Sequence, residues 1–374
     1  MFSRLPARML VITLALLRYL WTLGRRQPSD FPKRILVAHH LLLGDTLMLT
    51  PLLAKLRERY PASEITMTVP KAIYPLYQKR PYGVRALPYD PRDIKTLWVL
   101  MKTAGYDLAI VPGDNRYSWL ALALGAQWII AFTGDRPAYK NWPVDELMPY
   151  PDTPAAWGDM VAGLIGSNTQ KPYISTDWGG PDSAPFILPD TPYCVLHVGA
   201  SSPLKYWESE KWAALASHIT KLGMRVVWSA GPNEKHIIAA VDPAENYLSY
   251  AGQLTLAQLW HLIKQASLLV SLDTGIAHLG RVIDTPVVTL FGPGSAIICG
   301  PGEFWRNSAY RSVTIDNFPC RDQKILFRRS ISWVRRCGRG TKECAGPRCM
   351  QAIDVGIVVD SITKLLTSTH ALRS

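Results

Sequence analysis

The stretch LLVSLDTGIAHLGRVIDTPVVTLFGPG (268–294) decides the fold of this chain. An apolar run from Leu268 to Leu272 ends in Asp273, Thr274 and Gly275. A short helix is expected to open there, with its first backbone amides unpaired and facing the turn. A second apolar run, Pro286 to Phe291, ends in Gly292-Pro293-Gly294. Strand, glycine turn, helix, strand, glycine turn is a βαβ unit. Unpaired amide donors and the helix dipole make such a turn hospitable to a phosphate. Short glycine turns follow most parallel strands, so the spacing alone fits an ordinary α/β unit as well as an anion site.

The same alternation runs outward in both directions. YCVLHVGA (193–200) and MRVVWSAGP (224–232) read as strands with glycine turns. SEKWAALASHITKLG (209–223), NEKHIIAAV (233–241) and TLAQLWHLIKQAS (255–267) read as helices. Nearer the N-terminus, ILVAHH (35–40), EITMTVP (64–70), YDLAIVPG (106–113) and AQWIIAF (126–132) read as strands. LLLGDTLMLTPLLAKLRERYP (41–61) reads as a turn followed by a helix. Strands alternating with helices imply parallel sheets with right-handed crossovers. The segment 170–192 is rich in Pro, Gly, Ser and Asp and has little periodicity. It separates two such series. The expected organisation is an N-terminal helix in 1–32, a first domain in 33–175 and a linker in 176–192. A second domain in 193–353 carries a basic, Cys-bearing insert at 318–349, and a C-terminal helix occupies 354–374. No internal repeat is visible. Two doubly wound domains take ligands at the carboxyl ends of their strands, here across a cleft.

The chain has 374 residues, 48% hydrophobic and 19% charged, which suits two globular domains rather than disorder. Its formal charge of +12 is local. Residues 1–34 carry seven Lys/Arg against one Asp, and residues 320–349 carry nine against two acids, so the rest is close to neutral. Duplex-binding proteins usually spread basic groups along one face, so this pattern favours a membrane surface or an anionic substrate over nucleic acid. The six Cys of so long a chain suggest reduced thiols in a reducing compartment. Residues 9–23, MLVITLALLRYLWTL, are short for a membrane span, and no signal-type cleavage site follows them. On a wheel of about 100° per residue, Arg4, Arg8, Arg18, Arg25 and Arg26 fall within an arc of roughly 120°. Leu5, Met9, Ile12, Leu16, Leu20 and Leu23 fall opposite. A helix lying in the lipid headgroups is the expectation; a spanning anchor and a helix docked on the protein are the alternatives.

Several turns carry candidate chemistry. Gly44-Asp45 follows the first strand, where a carboxylate suits a general base or a helix cap. His197, Gly199, Ser201, Ser202 and Lys205 follow the first strand of the second series, and hydroxyls, turn amides and a lysine suit a phosphate clamp or an ordinary polar turn. Glu234, after Gly231-Pro232, suits a ribose or sugar hydroxyl, or a first-turn helix acid. Asp273 suits a sugar hydroxyl or a cap. A lone helical His278 is more often structural. Cys320, Cys337, Cys344 and Cys349 offer a weak zinc pattern, because no C-x2-C knuckle is present. Arg328-Arg329 and Arg335-Arg336, interleaved with Phe327 and Trp333, suit a lipid headgroup or a solvated loop. No P-loop, G-x-G-x-x-G, G-x-S-x-G or H-E-x-x-H is present, so ATP hydrolysis, hydride transfer and serine or zinc hydrolysis lack their usual signals.

Taken in order, four blocks resemble the glycosyltransferase family 9 proteins, the lipopolysaccharide heptosyltransferases. They are 35–61 with Gly44-Asp45 and Pro51, VLHVGASSPLKYWESEKWAALA (195–216), VVWSAGPNE (226–234), and SLDTGIAHL (271–279) with TPVVTLFGP (285–293). The Cys-bearing tail ending RCMQAI (348–353) is similar too. The resemblance implies a GT-B fold, two Rossmann-like doubly wound α/β domains facing a cleft, the first binding acceptor and the second donor. It implies inverting, metal-independent transfer of a sugar, typically heptose from ADP-heptose, to a lipopolysaccharide core. ADP-heptose is then a substrate and no cofactor is needed. The partners would be an anionic glycolipid and a membrane surface, and the location cytoplasmic, peripheral to the inner membrane. By motif position Asp45 would be the base. Lys205 would bind the diphosphate with Ser201 and Ser202, Glu234 the nucleoside part, and Asp273 the sugar. Thr274, Gly275, His278 and Gly292 would complete the donor pocket. His39, His40 and Gly44 would meet the acceptor; the two histidines replace residues the family usually carries there. An epimerase or other GT-B enzyme using a different nucleotide sugar, and a non-catalytic sugar-nucleotide-binding protein, are the alternatives.

Overall fold

The structure, a computed structural model, describes residues 5–21, 26–166 and 171–373. The chain forms two compact units. The first comprises Met1–Lys171, Thr176–Pro181 and Ile325–Trp333; the second comprises Pro172–Ser175, Asp182–Lys324 and Val334–Ser374. The basic segment 318–349, expected within the second domain, thus lends Ile325–Trp333 to the first.

In chain order the first unit holds α1 (Leu5–Trp21), β1 (Arg34–Val37), α2 (Leu43–Leu47), α3 (Thr50–Arg59), β2 (Glu64–Val69), β3 (Arg85–Pro88) and α4 (Ile94–Met101). It continues with β4 (Tyr106–Val111), α5 (Tyr117–Ala123), β5 (Ala126–Phe132), β6 (Glu146–Met148) and α6 (Trp157–Ala162). Its sheet is parallel throughout, in the order β3-β2-β1-β4-β5-β6. The helix expected after β1 is broken in two. Pro51 has no amide to give the preceding turn, so a new helix starts at Thr50, whose hydroxyl donates to the Leu47 carbonyl at 2.6 Å.

The second unit runs β7 (Tyr193–His197), α7 (Ser209–Lys221), β8 (Arg225–Ser229), α8 (Lys235–Val241), β9 (Leu248–Ser249), α9 (Leu256–Gln265), β10 (Leu268–Leu272), α10 (Gly275–Ile283), β11 (Val287–Phe291) and β12 (Tyr310–Thr314). The short hairpin β13 (Ile325–Leu326) and β14 (Arg329–Ser330) belongs to the first unit, and α11 (Arg348–Gln351) and α12 (Val355–Arg373) return to the second. Order β12-β11-β10-β7-β8-β9, again all parallel, repeats the topology of the first sheet. Strands β7, β10 and β11 are buried at every position, as expected of strands covered on both faces. Val358, Ile362 and Leu365 of α12 sit in the same core as β7 and α7. In each sheet the strand order reverses beside the first strand, between β1 and β4 and between β7 and β10. Crevices form at such points because the two following connections diverge to opposite faces.

Helix α1 corrects the wheel. Ala7, Val11 and Ala15 are buried, and Val11 and Ala15 join the core of the first unit with Leu36, Leu97 and Trp119. The exposed side carries Met9, Leu16, Leu17, Leu20 and Trp21, the last 89% exposed. Ile12, expected among the lipid-facing residues, is partly buried against the core. Arg18 reaches Gly125, and Arg26, below α1, pairs with Asp145, so neither stands on a continuous basic edge. Arg4, Leu23 and Arg25 lie outside the described residues, as does the side chain of Leu5. Among the described residues no helix is long and apolar enough to cross a membrane.

Candidate functional site

The second unit gathers its candidates at the switch point. The turn after β7 carries Lys205 and the turn after β10 carries Asp273. The Lys205 ammonium donates to the Asp273 carbonyl at 2.6 Å and to its Oδ2 at 3.0 Å. Lys205 is held there by local chemistry. Ser202 caps the turn Pro203–Lys205, its Oγ accepting from the Leu204 amide at 3.3 Å. Ser202 therefore serves the turn that presents the lysine, while Ser201 is exposed beside it. Thr274 caps α10, accepting from the Ile276 amide, and its hydroxyl lies 3.3 Å from that of Ser271. Gly275 is the first residue of α10, so the amide-rich start of that helix is next to the Lys205–Asp273 pair.

Glu234 accepts from two backbone amides. Its Oε1 accepts from the Ala200 amide at 2.9 Å and its Oε2 from the Gly231 amide at 2.6 Å. The carboxylate clamps together the turns after β7 and β8. An added Cβ on Gly199 would overlap that carboxylate, and one on Gly231 would lie 2.7 Å from it. Both glycines are thus explained by the seat they leave for Glu234. Gly292 abuts Met350 and Cys349, and its carbonyl accepts from Arg321 at 2.7 Å. Gly294 is the glycine of that turn that packs against the Asp273 carboxylate.

His278 is buried. Its pKa is pushed well below the ordinary value by burial first, then by the cations Arg281 and Lys205, so the ring is neutral. Asp273, His278 and Cys299 bring ligand atoms within 4.8 Å of one another. Two cations already serve that set, Lys205 on the carboxylate and Arg281 against the imidazole, and a third positive charge would meet both. His197 is a core histidine. It contacts the Ser229 hydroxyl at 3.0 Å, and burial lowers its pKa to about 4. Among the described residues, the group of possible ligands within 4.8 Å of one another does not include Cys320, Cys337, Cys344 or Cys349.

The first unit has its own switch-point crevice. A cavity of about 420 Å³ is lined by His40, Leu41, Leu42 and Asp45 after β1, and by Asp114, Arg116 and Tyr117 after β4. Tyr89, Trp119, Tyr139, Phe327 and three residues of α1, Arg8, Val11 and Ile12, complete the wall. Asp45 lies in the short helix α2 and faces this space half-buried. His40 meets Tyr89 edge-on at 6.3 Å between centroids. His39 does not line the cavity. Its Nδ1 accepts from the Leu41 amide at 3.2 Å, and burial holds its pKa at about 3. Its backbone exchanges two hydrogen bonds with Thr68, so His39 shapes the turn that carries Asp45. Gly44 sits in α2, where its carbonyl accepts from Met48 at 2.9 Å.

Behind Asp114 and Arg116 of the lining lies a buried ion network that sequence reasoning missed. Arg116 donates to Asp114 Oδ2 at 2.8 Å, and Lys140 reaches Asp114 Oδ1 at 2.9 Å and Asp135 at 3.0 Å. Arg329, expected at a lipid headgroup, is buried here instead. It donates to Gly113, Thr133 and Asn115 at 2.7–2.9 Å and lies 3.6 Å from Asp135. The Gly113-Asp114 turn after an apolar run is the same signal as Gly44-Asp45 and was legible. Phe327 and Arg329 were not, since they arrive from more than 170 residues downstream.

The sequence profile of glycosyltransferase family 9 (heptosyltransferase) matches residues 94–326, which include Lys205, Glu234 and Asp273. Lipopolysaccharide heptosyltransferase 3 of Escherichia coli is 23% identical over 332 residues, covering 75% of this chain and 89% of that protein. A family 9 glycosyl transferase from Veillonella parvula superposes with a TM-score of 0.72 at 18% identity, covering 91% of this chain and all of that one. The E. coli ADP-heptose lps heptosyltransferase II superposes with a TM-score of 0.67 at 19% identity, over 90% and 99% of the two chains. The fold is therefore GT-B, built of two Rossmann-like units. With more than half of its length matched by the profile, the chain belongs to glycosyltransferase family 9, the heptosyltransferase family, and is a glycosyltransferase.

Proposed function

We propose that the protein transfers heptose from ADP-heptose to a lipopolysaccharide core acceptor, inverting the anomeric centre without a metal ion. The carrying observation is the Lys205 ammonium seated on Asp273 beside the Thr274-capped start of α10. As the sugar–phosphate bond breaks, the leaving diphosphate gathers negative charge. A preorganised lysine and helix-start amides offset that charge at little reorganisation cost, the work a divalent metal does elsewhere. Asp273 would accept from sugar hydroxyls while orienting Lys205. In the first unit Asp45 faces a cavity with aromatic walls, where it would take the proton of the acceptor hydroxyl as the new glycosidic bond forms and ADP leaves. The names of the relatives, lipopolysaccharide heptosyltransferases, support heptose and this acceptor, and the ADP-heptose named for the E. coli heptosyltransferase II supports the donor.

Peripheral attachment to the cytoplasmic face of the inner membrane belongs to the same reading. The apolar outer face of α1, with Met9, Leu16, Leu17, Leu20 and Trp21 exposed, supports it.

The test is a donor-binding screen of ADP-heptose against UDP- and GDP-sugars. It is followed by transfer to deep-rough lipopolysaccharide in excess EDTA, with the product anomer read by NMR. Asp45→Ala is expected to abolish transfer and leave the donor Kd within about twofold. Tighter binding of a uridine or guanosine sugar, or loss of transfer in EDTA, defeats the reading. Weak donor binding by Asp45→Ala would make Asp45 structural.

A further inference from the structure

Helix α1 has two faces with different tasks. One is the exposed apolar face described above. The other is a wall of the Asp45 cavity, to which α1 contributes Arg8, Val11 and Ile12. These three residues precede the stretch matched by the family profile, residues 94–326.

The cavity is lined by Arg8 and Arg116 against Asp45 and Asp114, and Arg116 is already paired with Asp114. Behind them Lys140 and Arg329 meet Asp114 and Asp135. The Arg8 guanidinium has a neutral partner: it donates to the Tyr139 hydroxyl at 2.6 Å. Among the described residues no carboxylate pairs with Arg8. Tyr139 is itself fixed, because its carbonyl accepts from the Trp119 indole at 3.1 Å and both rings line the cavity. The hydroxyl that accepts from Arg8 retains its own proton to donate. A guanidinium and a phenol side by side on an aromatic wall form a ready receptor for a phosphate or carboxylate oxygen.

We propose that Arg8, with Tyr139, binds an anionic group of the acceptor and so sets which acceptor hydroxyl meets Asp45. This rests on the proposed function, and it makes α1 a specificity element of the acceptor site as well as a membrane-facing one. The anion is either a phosphate or a sugar-acid carboxylate of the acceptor. Val11, Ile12, Tyr89 and Trp119 would pack the apolar faces of the sugars beside it.

The test uses the full chain with detergent-solubilised deep-rough lipopolysaccharide in three forms: native, dephosphorylated with hydrofluoric acid, and carboxyl-reduced. Arg8→Gln is expected to raise the KM for native acceptor roughly tenfold or more, the usual consequence of losing a charge-assisted hydrogen bond. The kcat and the donor KM stay within about twofold. Arg8→Lys falls between, and Tyr139→Phe shifts KM the same way by less. The difference between wild type and Arg8→Gln disappears in whichever arm lacks the recognised group, and that arm names the anion. An unchanged acceptor KM in Arg8→Gln, or an equal rise on all three acceptors, overturns the proposal. Arg8 is exposed, so Arg8→Gln is expected to melt with the wild type; a lower Tm would instead make Arg8 a packing residue and overturn the assignment. If the wild type transfers to none of these acceptors, the functional reading fails by itself. Arg8 is then judged by titrating the same micelles without donor, where equal binding by wild type and Arg8→Gln refutes the proposal.

Discussion

Glu234→Gln separates two roles for one carboxylate, holding the donor or holding the turns that surround it. The substitution keeps size and one oxygen but removes the charge and puts an NH2 against an amide donor. Two backbone hydrogen bonds are affected, from Ala200 at 2.9 Å and Gly231 at 2.6 Å. Hydrogen bonds to a charged acceptor contribute about 1.5–3 kcal/mol each, and an amide left facing another donor costs about 1–3 kcal/mol. One bond survives in weakened, neutral form, and Glu234 is only half-buried, so water repairs part of the loss. The net is about 2 kcal/mol from the second unit. For a domain of this size that is a fall in Tm of about 4–8 °C. Donor affinity should fall with it, because the Gly199–Lys205 turn loses its tether. Gly199→Ala should reproduce the effect without touching Glu234, since the new methyl occupies the carboxylate's seat. The assay is thermal unfolding of the apo protein alongside calorimetric titration of ADP-heptose. A Glu234→Gln protein that loses donor affinity while its Tm stays within about 1 °C of wild type would refute the tether and restore direct donor contact.

Lys205→Met should lower kcat by about 10²–10³-fold, the usual loss when one preorganised charge partner of the transition state is removed; a fall in donor affinity with kcat preserved would count against its role at the leaving group. Arg329→Met should destabilise the first unit by about 3 kcal/mol, as expected when a buried cation leaves a carboxylate and several carbonyls behind, read by denaturant unfolding. Full stability in Arg329→Met would show that Lys140 alone suffices for Asp135. Acidification supplies a further test. Burial lowers His39 to about 3 and His197 to about 4, so both are neutral when folded and gain protons on unfolding. Their contribution is complete above about pH 6.5 and shrinks as pH falls towards those values, by about 1.4 kcal/mol per pH unit for each histidine. His197→Gln should remove one histidine's share of that slope from the second unit's transition, and an unchanged slope would contradict the assignment.

Much of the fold was legible because parallel strands covered on both faces must be apolar along their whole length. The runs Ile35–Val37, Tyr106–Val111, Val195–His197 and Leu268–Leu272 announce themselves. The edge strands β3, β6, β9 and β12 went unread, since they are short or carry exposed residues and take their conformation from a neighbour's hydrogen bonds. Strand-end turns were legible for a related reason. A glycine and a polar residue after an apolar run mark a carboxyl edge, and Asp45, Lys205 and Asp273 all lie on such edges.

The partners of those residues were not legible, because spacing along a chain carries no information about which turns a sheet brings together. Strand order set β7 beside β10 and so put Lys205 on Asp273. The same order put Glu234 under Gly199. The wheel of α1 correctly showed an amphipathic helix, but packing against α5 selected Ala7, Val11 and Ala15 as the buried stripe, since small residues let the helix approach closely. Local chemistry, read from sequence, determines which residues stand at the strand ends and what each can do. Only the tertiary structure decides what each then meets: Glu234, His39 and Arg329 bind the backbone of turns, and Asp45 lines a cavity that α1 helps to wall. Burial demands that polar groups find partners, and the supply of partners depends on the whole fold.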